Sequence, residues 1–415
     1  MATMPADRSP DSTLALLRAG YRFIGERCER YGSDVFQTRI LLAPTICLRG
    51  RPAAMVFYDN ERFQRATAMP LRVQRTLTGR RGVQGLDGPE HADRKAMFMS
   101  IMTPTAIRHL GQLFDDEWRA RIPAWEAAGR LPLYDELGRL LTRVVCAWAG
   151  VPLPTSQVER RAVDLHAMIE GPAVVGRRHW RGRLARHRAE RWLAGLIERT
   201  RVGLFPAPSG SALAVIAEHR DRRGQLLPRR IAAVELLNVL RPVVAVDQYI
   251  AFAALALHDH PSWRDRVRDD DQATGNFVQE VRRYYPFFPI AAARVKHSFD
   301  WRGHHFPRGR RVLLDLYGTN HHPALWPQPE LFRPERFAGR RVDPFELIPQ
   351  GGGDHWAGHR CAGEWITIDL MKRAVANLTG AMRYDVPVQG LALDLHRMPA
   401  LPPLGLTLNN IRRTD

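Results

Sequence analysis

Apolar residues recur every three to four positions through most of the chain, which is the spacing of amphipathic α-helices. This spacing predicts helices over residues 13–31, 106–128, 134–148, 157–169, 184–204, 276–284 and 364–378. The longest predicted helix runs from about Arg230 to His258 and ends before Pro261. It is apolar on nearly every face, so we expect it to be buried in the centre of the molecule.

Alternating apolar and polar residues predict strands in shorter parts of the chain. Residues 287–317 alternate in this way. Nearer the N-terminus, residues 38–46 and 53–58 predict a hairpin around the Gly-Arg-Pro turn at 50–52, and a short helix is predicted over 60–65. The strands are few and short, so they predict small β-sheets.

The chain has no internal repeat and no linker that would divide it. A Pro- and Gly-rich coil fills residues 322–363, between the predicted strands and the last helix. The sequence therefore predicts a mainly α protein with a single large domain over residues 1–415 and small β-sheets at its edge.

The composition is strongly basic, with 61 Lys+Arg against 43 Asp+Glu in 415 residues and a net charge of +18. Seven arginines lie between residues 177 and 191, opposed by Glu190 alone. Such a run can be a solvated helix face, or it can attract an anionic substrate, a membrane surface or nucleic acid. No recognised DNA- or RNA-binding module accompanies it, so we expect no nucleic-acid partner.

Cysteine usage and hydropathy indicate the compartment. The four cysteines are widely scattered and form no CxxC pair, which disfavours a disulfide scaffold and a zinc ribbon. A reducing, cytoplasmic location is therefore expected. No apolar run reaches the roughly 18 residues of a membrane helix, and no signal peptide is visible, so we expect no transmembrane segment.

A glycine-rich loop, residues 350–363, carries Cys361 directly before the last predicted helix. Backbone N–H groups and a helix N-terminus favour a thiolate there. A thiolate ligand of haem iron requires such a setting, because hydrogen bonds to the sulfur tune the metal. The other cysteines, Cys28, Cys47 and Cys146, are interpreted as small buried hydrophobic residues.

Two further segments predict a charged network near this loop. Glu280 and Arg283 lie three residues apart on one helix face, and residues 332–337 supply a second arginine, Arg336. A glutamate between two arginines forms a rigid, charge-assisted network. We expect this network to fix the coil that carries Cys361.

The Glu-x-x-Arg helix, the Pro-x-Arg-Phe segment and the cysteine loop, in this order, resemble the cytochrome P-450 superfamily of haem-thiolate enzymes. The chain is most similar to the bacterial fatty-acid peroxygenase branch, and the likeness covers nearly the whole chain. The segments that carry it include residues 63–65, 84–88, 178–180, 241–242, 279–287, 314–320 and 350–364. The resemblance implies the helical fold of that superfamily and haem b, iron protoporphyrin IX, with Cys361 as the iron ligand.

The long central helix contains Arg241 followed by Pro242. Proline removes a backbone donor and should kink the helix, while arginine brings a fixed cation into an apolar interior. An unpaired buried charge costs several kcal/mol, so an anion should meet it. An internal salt bridge to Glu235 or Asp247 is one alternative, although each lies six residues away.

The resemblance implies another anion, the carboxylate of a long-chain fatty acid bound by Arg241. Ordinary haem-thiolate monooxygenases carry an acid–threonine pair in this helix. In the peroxygenase branch the substrate carboxylate replaces that pair as the acid–base group and hydrogen peroxide is the oxidant. We therefore expect hydroxylation at the α or β carbon, with no reductase.

The resemblance also implies roles for other residues. Gln84 matches a catalytic position above the haem, near Arg241. The residues expected to contact the haem propionates are His91, Lys95, Arg65, Tyr317 and His359. The residues expected to line the substrate channel beside Arg241 are Leu77, Thr78, Ile169, Pro172, Ala245 and Phe287.

This sequence departs from the superfamily pattern at a few positions. Asp354 stands where a phenylalanine is usual, seven residues before the cysteine, and the peroxygenase branch shares this lengthened loop. Thr78 and Phe288 differ from residues found in the branch, and both bear on channel width. The alternatives are a decarboxylase that produces terminal alkenes, a monooxygenase fed by redox partners, and a haem- or lipid-binding protein without activity.

Overall fold

A computed structural model describes residues 3–401 and 406–414 of the chain, and residues 1–2, 402–405 and 415 lie outside the described part. Within it, most of the chain is helical and three small sheets lie beside the helices. The predicted fold class, mainly α with small β-sheets, is confirmed. The assignment of all of 1–415 to one domain stays a prediction.

The helices follow the chain in two groups. The first group is α1 (Thr13–Ala19), α2 (Phe23–Tyr31), α3 (Arg51–Phe57), α4 (Leu71–Val73), α5 (Gly88–Ile101), α6 (Pro104–Ala128), α7 (Leu133–Trp148), α8 (Val158–Glu170) and α9 (Arg177–Arg201). The second group is α10 (Ala212–Glu218), α11 (Arg229–Val244), α12 (Val246–Asp259), α13 (Ser262–Asp269), α14 (Asp271–Tyr284), α15 (Leu316–Asn320) and α16 (Glu364–Ala376). A π-helical turn, Gln74–Thr78, continues α4.

The strands form three sheets. They are β1 (Val35–Ile40), β2 (Ala43–Leu48), β3 (Phe63–Gln64), β4 (Arg130–Pro132), β5 (Ile290–Val295), β6 (Phe299–Trp301), β7 (His304–Phe306), β8 (Arg311–Asp315), β9 (Met382–Asp385) and β10 (Thr407–Arg413). The largest sheet has the order β1-β2-β8-β5-β3, the second β4-β10-β9 and the third β6-β7. In the largest sheet β2 and β8 are parallel, with Thr45 opposite Arg311, and the other pairs are antiparallel.

The long central helix is broken in two. It was expected over 230–258 as one helix, but α11 ends at Val244 and α12 begins at Val246. Pro242 cannot donate the backbone hydrogen bond to the carbonyl of Asn238, and the break follows three residues later. Every residue from 232 to 257 is buried except Pro242, which is partly exposed.

The α11–α12 segment is also the one stretch of the described residues that is long and apolar enough to cross a membrane. Its most apolar window has a mean hydropathy of 1.5, and 94% of that window is buried inside the protein. The largest hydrophobic core cluster includes both helices. Their apolar surface is therefore used in packing.

The predicted N-terminal hairpin is wrong in its second strand. The real hairpin pairs β1 with β2, and residues 53–58 belong mainly to α3. Gly50 has a φ of +91° and Pro52 stands in the first turn of α3, where its missing N–H is not needed. The Gly-Arg-Pro sequence at 50–52 therefore begins a helix and does not form the turn of a hairpin.

The short helix predicted over 60–65 is also wrong. Phe63 and Gln64 form β3, which pairs with β5. Phe63 is buried, and its ring packs edge-on against Phe299 and Phe306. Aromatic packing and strand pairing with a segment more than 200 residues away therefore override the local pattern.

Two predicted helices start earlier than expected. α9 begins at Arg177 rather than at 184, so the basic run lies on the helix. α14 begins at Asp271 rather than at 276, and the Asp270 carboxylate accepts a hydrogen bond from the backbone N–H of Gln272 at 2.7 Å. This N-cap stabilises a first turn whose apolar pattern is weak.

Glu280 joins the two arginines predicted from the sequence. Its carboxylate accepts hydrogen bonds from Arg283 at 2.7 and 2.8 Å and from Arg336 at 3.2 Å. Arg283 also donates to the backbone carbonyl of Asn320, whose side chain accepts from the backbone N–H of Ile348. The network thus connects α14 to the coil directly before the cysteine loop.

Replacing Glu280 with glutamine will destabilise the protein by about 3–5 kcal/mol, because two buried arginines then lack their counter-charge. The urea midpoint of unfolding measures this loss. The control is Glu335→Gln, which removes a half-exposed partner of Arg266 in the same coil and should cost about 0–1 kcal/mol. Equal midpoints for the two variants would contradict a structural role for Glu280.

Candidate functional site

Cys361 lies near the end of the glycine-rich loop, three residues before α16 begins. Its backbone N–H donates to the carbonyl of Gln350 at 3.2 Å, and the Gln350 side-chain nitrogen lies 3.9 Å from the sulfur. Cys361 is half-buried, whereas the other three cysteines are buried, as expected for small hydrophobic residues. Cys361 is therefore the cysteine whose position best suits an external ligand.

Opposing charges act on the Cys361 thiol. Burial and then the carboxylate of Glu364 raise its pKa, while the Gly363 N–H, Lys95 and Arg282 lower it. The net pKa is raised, so the thiol keeps its proton unless a metal displaces it. Glu364 is itself neutralised by hydrogen bonds from Arg282 and Arg360.

The glycines of the loop allow it to fold tightly on itself. Gly351 and Gly353 have φ values of +89° and +81°, which favour glycine. A Cβ at Gly352 would lie 2.6 Å from the Pro344 carbonyl oxygen, and one at Gly358 would lie 2.6 Å from that of Asp354. These glycines are thus explained by contacts within the protein.

Four of the five residues predicted to contact the propionates lie together around His91; they are His91, Lys95, Arg65 and His359. The rings of His91 and His359 have centroids 3.9 Å apart, and Lys95 donates to the carbonyl of Arg360 at 2.6 Å. The Arg65 guanidinium lies over the Phe57 ring, and its Nη1 has no hydrogen-bond partner. Within this group, the Nη1 of Arg65 is thus a buried donor that the described residues do not satisfy.

Burial weakens the cationic character of these groups. It lowers the pKa of His91 to about 3, with a further contribution from His359, and it lowers the pKa of Arg65 to about 10. The pKa of Lys95 is lowered for the same reason. An anion bound here would reverse these shifts, so the cluster fits a carboxylate-bearing group.

Tyr317 lies apart from this cluster. Its ring contacts those of Tyr21, at 5.3 Å between centroids, and His321, at 4.1 Å. Its contact with a propionate therefore stays a prediction.

His321, beside Tyr317, makes stability depend on pH. Burial and then the charge of Arg283 lower its pKa to about 3, against a usual 6.5. Between these values the unfolded chain binds one more proton, so unfolding becomes easier by up to about 1.4 kcal/mol per pH unit as pH falls. We expect His321→Gln to flatten the fall in stability measured between pH 7 and 4.

The control for this prediction is His297→Gln, which replaces an exposed histidine. It should leave the pH dependence of the wild type in place. A His321→Gln slope equal to that of the wild type would contradict the assignment.

Arg241 is buried, and neither predicted carboxylate pairs with it. Glu235 binds Arg94 at 2.5 Å, and Asp247 lies 2.5 Å from His166. The Nε of Arg241 has no partner among the described residues. The alternative of an internal salt bridge is therefore wrong.

The electrostatics of Arg241 favour an external anion. Burial and then the charge of Arg186 lower its pKa to about 9, and Cys361 opposes the shift. Arg241 and Cys361 are thus within electrostatic reach of each other. Pro242 beside it is partly exposed, so the helix is not fully covered next to the guanidinium.

Gln84 is connected to the same helix. Its Oε1 accepts a hydrogen bond from Asn238 at 3.3 Å, and Asn238 also donates to Glu235 at 3.1 Å. Asn238 was not predicted from the sequence, although Glu235, Asn238 and Arg241 recur at three-residue intervals in an apolar helix. That polar spacing was the available signal, since it places the three side chains along one face.

The predicted channel residues come from separate elements. Leu77 and Thr78 end the π-helical turn, and Ala245 stands at the break between α11 and α12. Ile169 lies in the last turn of α8, and Pro172 follows that helix. All five are buried. Their roles as channel residues stay predictions.

Two hydrogen bonds and one stacking contact hold parts of this region. The rings of Phe287 and Tyr249 stack with their centroids 4.3 Å apart. The backbone carbonyl of Phe287 accepts a hydrogen bond from the Tyr21 hydroxyl at 2.6 Å. Arg186 Nη1 donates to the Leu77 carbonyl at 2.7 Å. In the sequence, Arg186 belongs to the basic run of residues 177–191, which predicts no defined role for it. In the structure its side chain is only 3% exposed, so Arg186 is not part of a solvated face.

Comparisons with known proteins agree with this geometry. The family model described as Cytochrome P-450 matches residues 256–383. Among curated relatives, Cytochrome P-450 71A8 from Mentha piperita is 27% identical over 147 residues, 33% of this chain. That alignment spans only 28% of the relative's own length.

Solved structures match over much more of the chain. A variant of Cytochrome P-450SP alpha (CYP152B1) is 50% identical with a TM-score of 0.95, covering 98% of this chain and all of the other. Cytochrome P-450EX alpha (CYP152N1), solved with myristic acid, is 42% identical with a TM-score of 0.97 over all of both chains. A variant of cytochrome P-450 OleT, solved with arachidonic acid, is 37% identical with a TM-score of 0.97, covering all of this chain and 99% of the other.

Proposed function

Because the chain belongs to the cytochrome P-450 family, among the CYP152 proteins, we propose that it hydroxylates long-chain fatty acids at the α or β carbon with hydrogen peroxide. The observation that carries the proposal is Arg241, a buried cation without an anionic partner among the described residues, beside the partly exposed Pro242 in the central helix. Relatives solved with myristic and arachidonic acid supply the class of anion.

The family implies haem, and we propose that it is haem b held by Cys361. The half-buried sulfur suits an iron ligand, and Arg65, His91, Lys95 and His359 present the donors that two propionates require. When bound, haem supplies the oxidising chemistry, which no side chain of the protein can provide. The hydrogen bonds around Gln350 and Glu364 hold the cysteine loop in place.

Arg241 binds and orients the substrate in this proposal. Its planar guanidinium forms two parallel hydrogen bonds with a carboxylate, and burial excludes the water that would weaken them. The helix carries Leu240-Arg241-Pro242 where monooxygenases carry an acid–threonine pair. The bound carboxylate is therefore the group positioned to accept a proton from peroxide and return it.

The alkyl chain requires an apolar surface around the carboxylate site. Leu77, Ile169, Pro172, Ala245 and Phe287 provide such groups in the proposal, and Thr78 adds a small polar one. No reductase is required, since peroxide supplies both the oxygen and the oxidising equivalents.

Incubation of the haem-loaded protein with myristic acid and hydrogen peroxide, without reductase, tests the function. Hydroxy acids identified by mass spectrometry would support it. Product formation only with a reductase would instead indicate a monooxygenase, and haem and lipid binding without product would indicate a binding protein.

Gln84 should determine the product. A neutral amide donates and accepts hydrogen bonds but does not titrate, so it offers no proton relay beside the substrate carboxylate. We expect 2- or 3-hydroxy acids as the main products and terminal alkene as a minor one. Gln84→His, which introduces a titratable ring, should raise the alkene fraction.

The ratio of alkene to hydroxy acid from myristic or palmitic acid measures this effect. Gln84→Asn is the matched control, because it keeps the amide and should keep hydroxylation dominant. A majority of alkene from the wild type would contradict the role of Gln84.

A further inference from the structure

The helix α9 has two different sides. Its inner side packs against α8 and α11, with Ala185, Ala189, Leu193 and Ile197 all buried. The opposite side, together with Val175 just before the helix, is here called the outer face of α9. It comprises the exposed residues Val175, Arg177, Trp180, Arg181, Leu184 and Arg191 and the partly exposed Arg183. The proposed function uses none of these residues.

The arginines of the outer face lack counter-charges. Arg178 and Arg188 pair with Glu170 and Asp164 respectively. In contrast, no carboxylate of the described residues lies within 4.0 Å of the guanidinium nitrogens of Arg177, Arg181, Arg183 and Arg191. The outer face thus carries a positive charge that the protein itself does not neutralise.

Large apolar side chains lie among these arginines. Val175 is 66% exposed, Trp180 58% and Leu184 56%. The Arg183 guanidinium lies 5.0 Å from the centroid of the Trp180 ring, so the charge and the aromatic group form one surface. Exposing these apolar side chains to water is unfavourable, so burial against a partner would stabilise them.

We propose that the outer face of α9 docks on an anionic phospholipid bilayer. Basic residues attract acidic headgroups, while tryptophan and leucine enter the boundary between headgroups and acyl chains. Tryptophan is suited to that boundary because it combines an apolar ring with a polar N–H. Nucleic acid would use the arginines but leave Val175 and Leu184 exposed, so it fits the surface less well.

The inner side of the same helix is linked to the proposed substrate channel. Arg186 donates to the Leu77 carbonyl at 2.7 Å, and Arg72 donates to the Val174 carbonyl, just before α9, at 2.6 Å. Docking would therefore bring the segment that carries Leu77 close to a bilayer that holds dissolved fatty acids. This consequence rests on the proposed function, whereas the docking itself does not.

Sedimentation of the haem-loaded protein with phospholipid vesicles tests the docking without any turnover. We expect binding to vesicles of equimolar phosphatidylcholine and phosphatidylglycerol, weakened by salt, and little binding to phosphatidylcholine alone. The triple variant R177Q/R181Q/R191Q should bind the anionic vesicles more weakly, by about fivefold for each arginine and on the order of a hundredfold in all. Trp180→Ser should also weaken binding, with less dependence on salt.

The matched control is R222Q/R223Q/R230Q, which removes the same charge from exposed positions outside α9. It should retain most of the vesicle binding. Equal loss in the two triple variants would overturn the proposal, because binding would then follow net charge alone. Absence of wild-type vesicle binding at low salt, or retention of duplex DNA in preference to vesicles, would overturn it as well.

Discussion

Replacing Arg241 with methionine will weaken fatty-acid binding about tenfold to a hundredfold and abolish peroxide-dependent hydroxylation of that acid. Hydrogen bonds to a charged group contribute about 1.5–3 kcal/mol, and 1.4 kcal/mol corresponds to a factor of ten. Turnover falls further than binding because the carboxylate held by Arg241 is also the proposed acid–base group. The absorbance change on adding myristic acid measures binding, and hydroxy-acid formation measures turnover.

The stability of the same variant separates this role from a structural one. Methionine removes an unpaired charge from the interior, so Arg241→Met should unfold at no lower a urea concentration than the wild type. Arg230→Gln, at an exposed position of the same helix, should leave binding and turnover unchanged. Normal hydroxylation of fatty acids by Arg241→Met would refute substrate-assisted catalysis.

Replacing Cys361 with serine will eliminate the red-shifted absorption band of the reduced carbon monoxide complex. That band requires a thiolate on the iron, and a serine hydroxyl does not replace it. Hydroxylation should be lost with the band, because the thiolate donates the electron density that the haem chemistry requires.

A matched control distinguishes this effect from general loss of a cysteine. Cys146→Ala removes a buried thiol that contributes only to the core, so it should keep the band. Survival of the band in Cys361→Ser would mean that another residue is the iron ligand, and the proposed site would fail at its centre.

The family resemblance rested on motifs that are local in sequence, and the full-length structural matches confirm it. Glu280 and Arg283 lie one helical turn apart, and Cys361 follows a loop whose glycines adopt conformations that other residues avoid. Periodicity also located most helices, because buried helices repeat their apolar residues at a fixed interval. These features need only neighbouring residues, so the sequence was sufficient for them.

The predictions from the sequence are wrong where a distant segment determines the local secondary structure. Residues 53–58 look like a strand, but they form α3 while β2, ahead of them, pairs with β8, more than 250 residues later. Phe63 adopts a strand conformation because it pairs with β5 and its ring packs against Phe299. Neither partner is visible from the local pattern.

The sequence by itself identified Cys361 and Arg241 as the candidate residues for the chemistry, since both are recognisable from their immediate neighbours. Only the tertiary structure decided whether Arg241 is free to bind an anion. Arg94 pairs with Glu235 across 141 residues of sequence, and His166 pairs with Asp247 across 81. Because packing assigns both carboxylates to other partners, the buried guanidinium has no carboxylate partner in the described part of the chain. No pattern along the sequence records how those charges are paired.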